Sequence, residues 1–178
     1  PKLIKNGQEM PFIVISPQYG AANDHSDKWY TPGYIDQFVV HATARFPTDE
    51  KRLYVTGLSM GGGGTYYYAI EHPEKVAAIV PVASQIQLYS EPGPPLITNE
   101  NTTFRIADIP QWTFMNAIDG VVGRWQTEAA LQHLVNSPTP PNPSPLFTVY
   151  QVNAHSGWTE TYDNPDVYAW LLQHSKNE

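Results

Sequence analysis

Along most of the chain, short continuous apolar runs alternate with stretches whose apolar residues recur at helical spacing. That alternation predicts a parallel β-sheet covered by helices on both faces. "PFIVISP" (Pro11–Pro17) reads as the first buried strand. "YIDQFVVHATARF" (Tyr34–Phe46) reads as a helix, because Ile35, Phe38, Val39 and Ala42 fall at i, i+3, i+4 and i+7. "RLYVTG" (Arg52–Gly57) is the second strand. A glycine-rich turn follows, then a helix that ends near His72, where Pro73 cannot continue it. "VAAIVPVAS" (Val76–Ser84) and "IPQWTFMN" (Ile109–Asn116) are the third and fourth strands. "GRWQTEAALQHLVN" (Gly123–Asn136) is a helix, and "PLFTVYQVN" (Pro145–Asn153) is the fifth strand. The final helix has a marked start: Asn164 as cap, Pro165 at the first position, and Val167, Trp170 and Leu171 on one face.

Two stretches interrupt this rhythm. Gln85–Ala107 is a long connection with little periodicity, of the kind that flanks sites or acts as a lid. Ser137–Pro145, "SPTPPNPSP", is a stiff polyproline bridge too short to separate domains. No internal repeat is visible, and residues 1–178 read as a single domain.

Composition narrows the function classes. The 178 residues are 41% hydrophobic, enough for one real core. A net charge of −7 without a basic run excludes a nucleic-acid footprint. No apolar stretch approaches the length of a membrane span. Cysteine is absent, which removes disulfide and thiol chemistry without naming a compartment. The chain opens on Pro1 with no visible signal peptide, so a processed chain or a piece of a longer protein is expected.

The densest chemical signal is "KRLYVTGLSMGGGGTYYYAIEHPEKV" (Lys51–Val76), one serine among five glycines. Glycine in a helix interior costs roughly 1 kcal/mol against alanine, so Gly61–Gly64 need a reason. Gly57-Leu58-Ser59-Met60-Gly61 fits G-x-S-x-G, the strand-to-helix turn that exposes a nucleophilic serine. In such a turn Gly57 and Gly61 are expected to lack side chains for steric reasons. The backbone N–H of Met60 would face a developing oxyanion, with the positive end of the helix dipole behind it. At a glycine frequency of about 7%, and serine taken as similar, the pattern arises by chance about 0.06 times in such a chain. The bland alternative is a glycine-rich turn with an incidental serine.

A serine hydroxyl needs a base, and the base an orienting acid. In this architecture they follow in the order Ser, Asp or Glu, His. His72 and His133 fall within or at the end of helices, and His174 in the last turn of the final helix, where a solvated or dipole-complementing role is ordinary. His155 directly follows the fifth strand, at the sheet edge where open α/β folds bind ligands. Asp119 lies just beyond the fourth strand at the same edge, although Asp-Gly is also a common turn dipeptide. Asp108 precedes that strand and belongs to the opposite edge. Asp163 and Asp166 suit the start of the last helix.

With these residues assembled, the chain resembles the α/β-hydrolase superfamily. It is most similar to esterases related to polyhydroxybutyrate depolymerases, feruloyl and acetylxylan esterases and dienelactone-hydrolase-like proteins. "FIVISPQ", "RLYVTGLSMGGGGTYYYAIEHPEKVAAIVPVAS" and "HSGWTETYDNPDVYAWLL" carry the resemblance. It implies Ser59 as nucleophile, Asp119 as acid, His155 as base and Met60 N–H as oxyanion donor. Trp158 would wall the acyl or alcohol pocket or serve as a core aromatic. No metal or organic cofactor is implied; the resemblance favours an extracellular or periplasmic setting, although the chain itself names no compartment.

Two departures stand out. Relatives usually carry His-Gly where this chain has Met115 and Asn116. The family's early strands and the loop supplying the second oxyanion donor are expected upstream of Pro1, leaving a gap between Phe12–Ser16 and Arg52–Thr56. The implied activity is ester hydrolysis through an acyl-enzyme, on acylated or feruloylated polysaccharide, short-chain esters or polyesters. Peptide cleavage, acyl transfer to another alcohol, and a degenerate non-catalytic domain are the alternatives.

Overall fold

A computed structural model describes residues 6–7, 9–17, 32–84 and 105–176. Four strands form one sheet: β1 (Leu53–Leu58), β2 (Val76–Val82), β3 (Trp112–Ile118) and β4 (Leu146–Asn153). They lie in the order β1-β2-β3-β4 and every neighbouring pair is parallel. The helices are α1 (Pro32–Arg45), α2 (Met60–Glu71), α3 (Arg124–Val135), α4 (Trp158–Tyr162) and α5 (Pro165–Leu171), with a 3₁₀ turn at Glu50–Arg52.

β2 is buried at every position, as an apolar run inside a parallel sheet must be. It divides the core in two. On one face Ile79 packs with Tyr66 and Ile70 of α2 and with Leu131 and Leu134 of α3, joined by Ile35 and Val39 of α1. On the other, Ala78, Val80 and Val82 pack with Phe114, Val167 and Leu171, flanked by Trp158, Tyr162 and Trp170. Helices therefore cover both faces of a parallel sheet, the expected α/β architecture. Asp36 ties α1 to α2, accepting hydrogen bonds from Tyr68 Oη and Lys75 Nζ. Its carboxyl is held below the usual range, mainly by the Lys75 ammonium, against the opposing effect of burial.

Local signals place most elements to within a few residues. Asn164 caps α5 by accepting from the Asp166 N–H at 2.9 Å, with Pro165 at the first position. The helix nevertheless stops at Leu171, and His174 lies beyond it with its ring against Trp170. The short α4 lies outside the elements that the apolar pattern predicts.

Three expectations need correction or bounding. Pro11–Pro17 is not a buried strand: it takes part in no ladder among the described residues, and Ile13, Val14 and Ile15 are 49%, 76% and 42% exposed. A strand exists only through a partner's hydrogen bonds, and apolar composition cannot supply one. Phe12 packs its ring against Tyr54 and Tyr168. Phe38, placed on the apolar face of α1, is 45% exposed, while Ala42 is buried. Most of the long connection, 85–104, lies outside the described residues. The proline-rich bridge is docked, with the Asn142 N–H donating to Ala107 O at 3.1 Å.

Candidate active site

Parallel strands deliver their C-terminal ends to one edge, and that edge collects the candidate residues. Ser59 follows β1, Asp119 follows β3, and His155 lies two residues after β4.

The serine sits on a sharp turn. Its backbone adopts φ 53 and ψ −117, a region that residues with a Cβ rarely occupy. The surroundings enforce it: Ser59 N–H donates to Val82 O at 2.9 Å, and Ser59 O accepts from the N–H groups of Gly62 and Gly63. A Cβ on Gly57 would collide with the Gly61 backbone, so the turn can close only over glycine. A Cβ on Gly62 would lie 2.8 Å from Ser84 Cα and Cβ, which explains a second glycine: α2 packs directly on the end of β2. Gly61 differs from expectation. It is exposed and a Cβ there would meet open space, because it lends its own backbone to the contact with Gly57.

These two glycines therefore separate by experiment. Gly57→Ala should destabilise by about 3 kcal/mol, the upper range for an overpacked core, and lower Tm by about 6–12 °C. Gly61→Ala should be neutral or stabilise by up to about 1 kcal/mol, since it removes a weak helix former without a clash. Thermal melts of the two variants check this, and equal losses would contradict the turn's geometry.

Asp119 occupies a turn of its own making. Its Oδ1 accepts from the N–H groups of Val121 and Val122, both at 2.9 Å, leaving Oδ2 for His155 Nδ1 at 2.8 Å. The carboxylate has no exposed surface. Burial alone would raise its pKa, but the hydrogen bonds from His155, Val122 and Val121 outweigh that and hold it below the usual range. An ionised Asp119 can only accept, so Nδ1 carries the imidazole proton. Nε2 is then the acceptor, and it lies 2.9 Å from Ser59 Oγ.

Trp158 joins the core rather than standing clear of it. It is half-buried among Phe114, Tyr150 and Val167 and meets the His155 ring edge-on, with centroids 5.7 Å apart. Met60 opens α2 immediately after Ser59 and is about half exposed. Asp108 is exposed before β3, and His72 caps α2 beside Glu74, both away from this edge.

One contributor escapes sequence reasoning. Asn116 of β3 is fully buried, and its amide donates to Ala154 O at 2.6 Å and to Ser156 Oγ at 3.0 Å. The sequence marks it only as a lone amide inside the apolar run "WTFMNAI" and as part of the departure at Met115 and Asn116, with no hint of these partners.

No protein-family model matches the chain. A curated relative, Poly(3-hydroxyalkanoate) depolymerase C of Paucimonas lemoignei, is 32% identical over an 89-residue alignment. The alignment covers 43% of this chain and 22% of the relative. Among solved structures, a thermostable esterase shares 27% identity at a TM-score of 0.64, over 80% of this chain and 36% of its own. The S-formylglutathione hydrolase of Staphylococcus aureus shares 18% identity at a TM-score of 0.61, over 82% and 63% respectively. The chain thus spans about a fifth of the length of the curated relative and about a third of the esterase. In fold this chain is an α/β-hydrolase, and in sequence and structure it resembles esterases and a depolymerase of that superfamily.

Proposed function

We propose that the protein is a serine carboxylic-ester hydrolase in which Ser59, His155 and Asp119 act as a triad. The observation that carries this reading is the single imidazole hydrogen-bonded to both Ser59 Oγ, at 2.9 Å, and Asp119 Oδ2, at 2.8 Å. His155 Nε2 takes the Ser59 proton as Oγ attacks the ester carbonyl, forming a tetrahedral intermediate. Met60 N–H donates to its oxyanion, supported by the N-terminal dipole of α2. The imidazolium, stabilised by Asp119, protonates the departing alcohol and leaves an acyl-Ser59. Water, deprotonated by the same imidazole, releases the acid and restores the serine.

In this reading the 178 residues act as part of one catalytic domain, and the exposed part of Trp158 borders the acyl or alcohol pocket. Exposed Leu58, Met60, Ile118 and Val121 flank Ser59 and Asp119 in sequence, which favours an apolar, uncharged acyl group. Esters of short fatty or aryl acids, free or carried on a polymer, have that character.

The test compares p-nitrophenyl acetate and butyrate with a peptide p-nitroanilide, alongside a fluorophosphonate probe. Ester turnover well above amide turnover, with the probe on Ser59 by mass spectrometry, is the expected result. A folded protein that neither labels nor turns over esters is a scaffold, and preferential amide cleavage makes it a peptidase.

A further inference from the structure

The loop that carries His155 is held at every residue around the imidazole. Ala154 N–H donates to Ile118 O at 3.0 Å, and Ala154 O accepts from Asn116 Nδ2. Ser156 Oγ accepts from the same amide. Gly157 O accepts from Thr161 N–H at 3.0 Å and from Thr161 Oγ1 at 2.7 Å. Asn116 thus spends both amide hydrogens on the two residues that bracket His155. Its orientation is unambiguous, because Ala154 O accepts only and must face the NH₂ group.

The strand register shows why a side chain is needed there. Asn116 pairs with Tyr150 and Ile118 with Asn153, so β4 carries one residue more than β3 across that interval. A bulge of this kind breaks the ladder and re-aims the strand. The backbone of β3 cannot then hold the start of the loop by pairing alone, and the Asn116 amide bridges the interval. The fit is close on the other side as well. Gly157 adopts φ +100, and a Cβ there would lie 3.1 Å from Asn116 Oδ1 and 3.2 Å from Tyr150 Cδ2. Asn116 Oδ1 itself is buried without a hydrogen-bond partner among the described residues.

We propose that Asn116 is the positioning residue of the His155 loop: its amide, bonded to Ala154 O and Ser156 Oγ, sets the imidazole between Ser59 and Asp119. The inference rests on the hydrolase reading above. Asn116 touches neither substrate nor reacting atoms and acts through His155.

Asn116→Leu keeps the branched shape and removes both donors, and Asn116→Ala removes the side chain. Thr113→Val serves as the control, since Thr113 is buried on the same strand and hydrogen-bonds Tyr66 Oη on the opposite side of the fold. Both Asn116 variants should lose about 10²-fold in kcat, the size of effect expected from a displaced catalytic group, with KM changed by no more than about twofold. Thr113→Val should keep kcat within about twofold of wild type even where its Tm falls as far. In proton NMR, the downfield signal of His155 Nδ1–H should weaken or shift in both Asn116 variants and persist in Thr113→Val. Asn116 variants with wild-type kcat and an unchanged Nδ1–H signal would overturn the proposal. So would a kcat loss matched by Thr113→Val. If wild type proves inactive, the hydrolase reading fails separately, and the Nδ1–H signal still decides whether Asn116 positions the ring.

Discussion

Ser59→Ala should lower ester hydrolysis by about 10⁶-fold while moving Tm by no more than about 2 °C. The rate loss follows from the removal of the hydroxyl that lies 2.9 Å from His155 Nε2, in place for proton abstraction. The small stability effect follows from the turn. The strained φ of 53 is imposed by the backbone bonds to Val82, Gly62 and Gly63, which alanine keeps. Ser59→Gly should be equally inactive but melt no lower than Ser59→Ala, because glycine occupies that backbone region freely. His155→Ala should cost nearly as much rate, and the double variant little more, since members of a triad act as a unit. Rates measured on p-nitrophenyl acetate decide it: additive losses, or near-wild-type turnover by Ser59→Ala, would remove the serine from the mechanism.

Asp119→Asn should reduce kcat by about 10⁴-fold with little change in KM. The geometry explains why an isosteric change is so damaging. Val121 and Val122 N–H both point at Oδ1, so the amide of an asparagine would keep its oxygen there and turn its NH₂ toward His155. Nδ1 must then accept, the proton moves to Nε2, and the nitrogen facing Ser59 is no longer a base. The same substitution has a pH signature. The Asp119 pKa is depressed in the folded state, from an ordinary value of 3.8. Its ionised form therefore stabilises the protein above that value, and the contribution disappears as pH falls through the folded pKa. The stability gap between wild type and Asp119→Asn should narrow as pH falls from about 5 to below about 4. Urea titrations across that range measure it. A gap that widens in acid would contradict the linkage, and greater damage from Asp108→Asn would contradict the choice of acid.

The candidate triad was nameable before any geometry because parallel strands convert sequence order into position. A residue just past the C-terminal end of one strand shares an edge with those past the ends of its neighbours. Ser59, Asp119 and His155 each stand in that place, and Asp108, before β3, does not. The two glycines of the motif were less legible. Both invite a steric explanation in sequence, yet only Gly57 has a neighbour in the way, because the helix turns the Cβ direction of Gly61 outward.

What the sequence by itself determined is the local and the periodic. β2 follows from its unbroken apolar run, α5 from Asn164 and Pro165, and the turn from Gly57 to Met60, since each signal lies within a few bonds of the structure it produces. The tertiary structure alone decided what depends on distant partners. The apolar Phe12–Ser16 makes no strand because no ladder reaches it among the described residues, whereas the polar Asn116 is buried because Ala154 and Ser156 meet it across 38 and 40 residues. Hydrogen-bond complementarity between remote segments leaves no periodicity in either one, so it becomes visible only when the chain has brought them together.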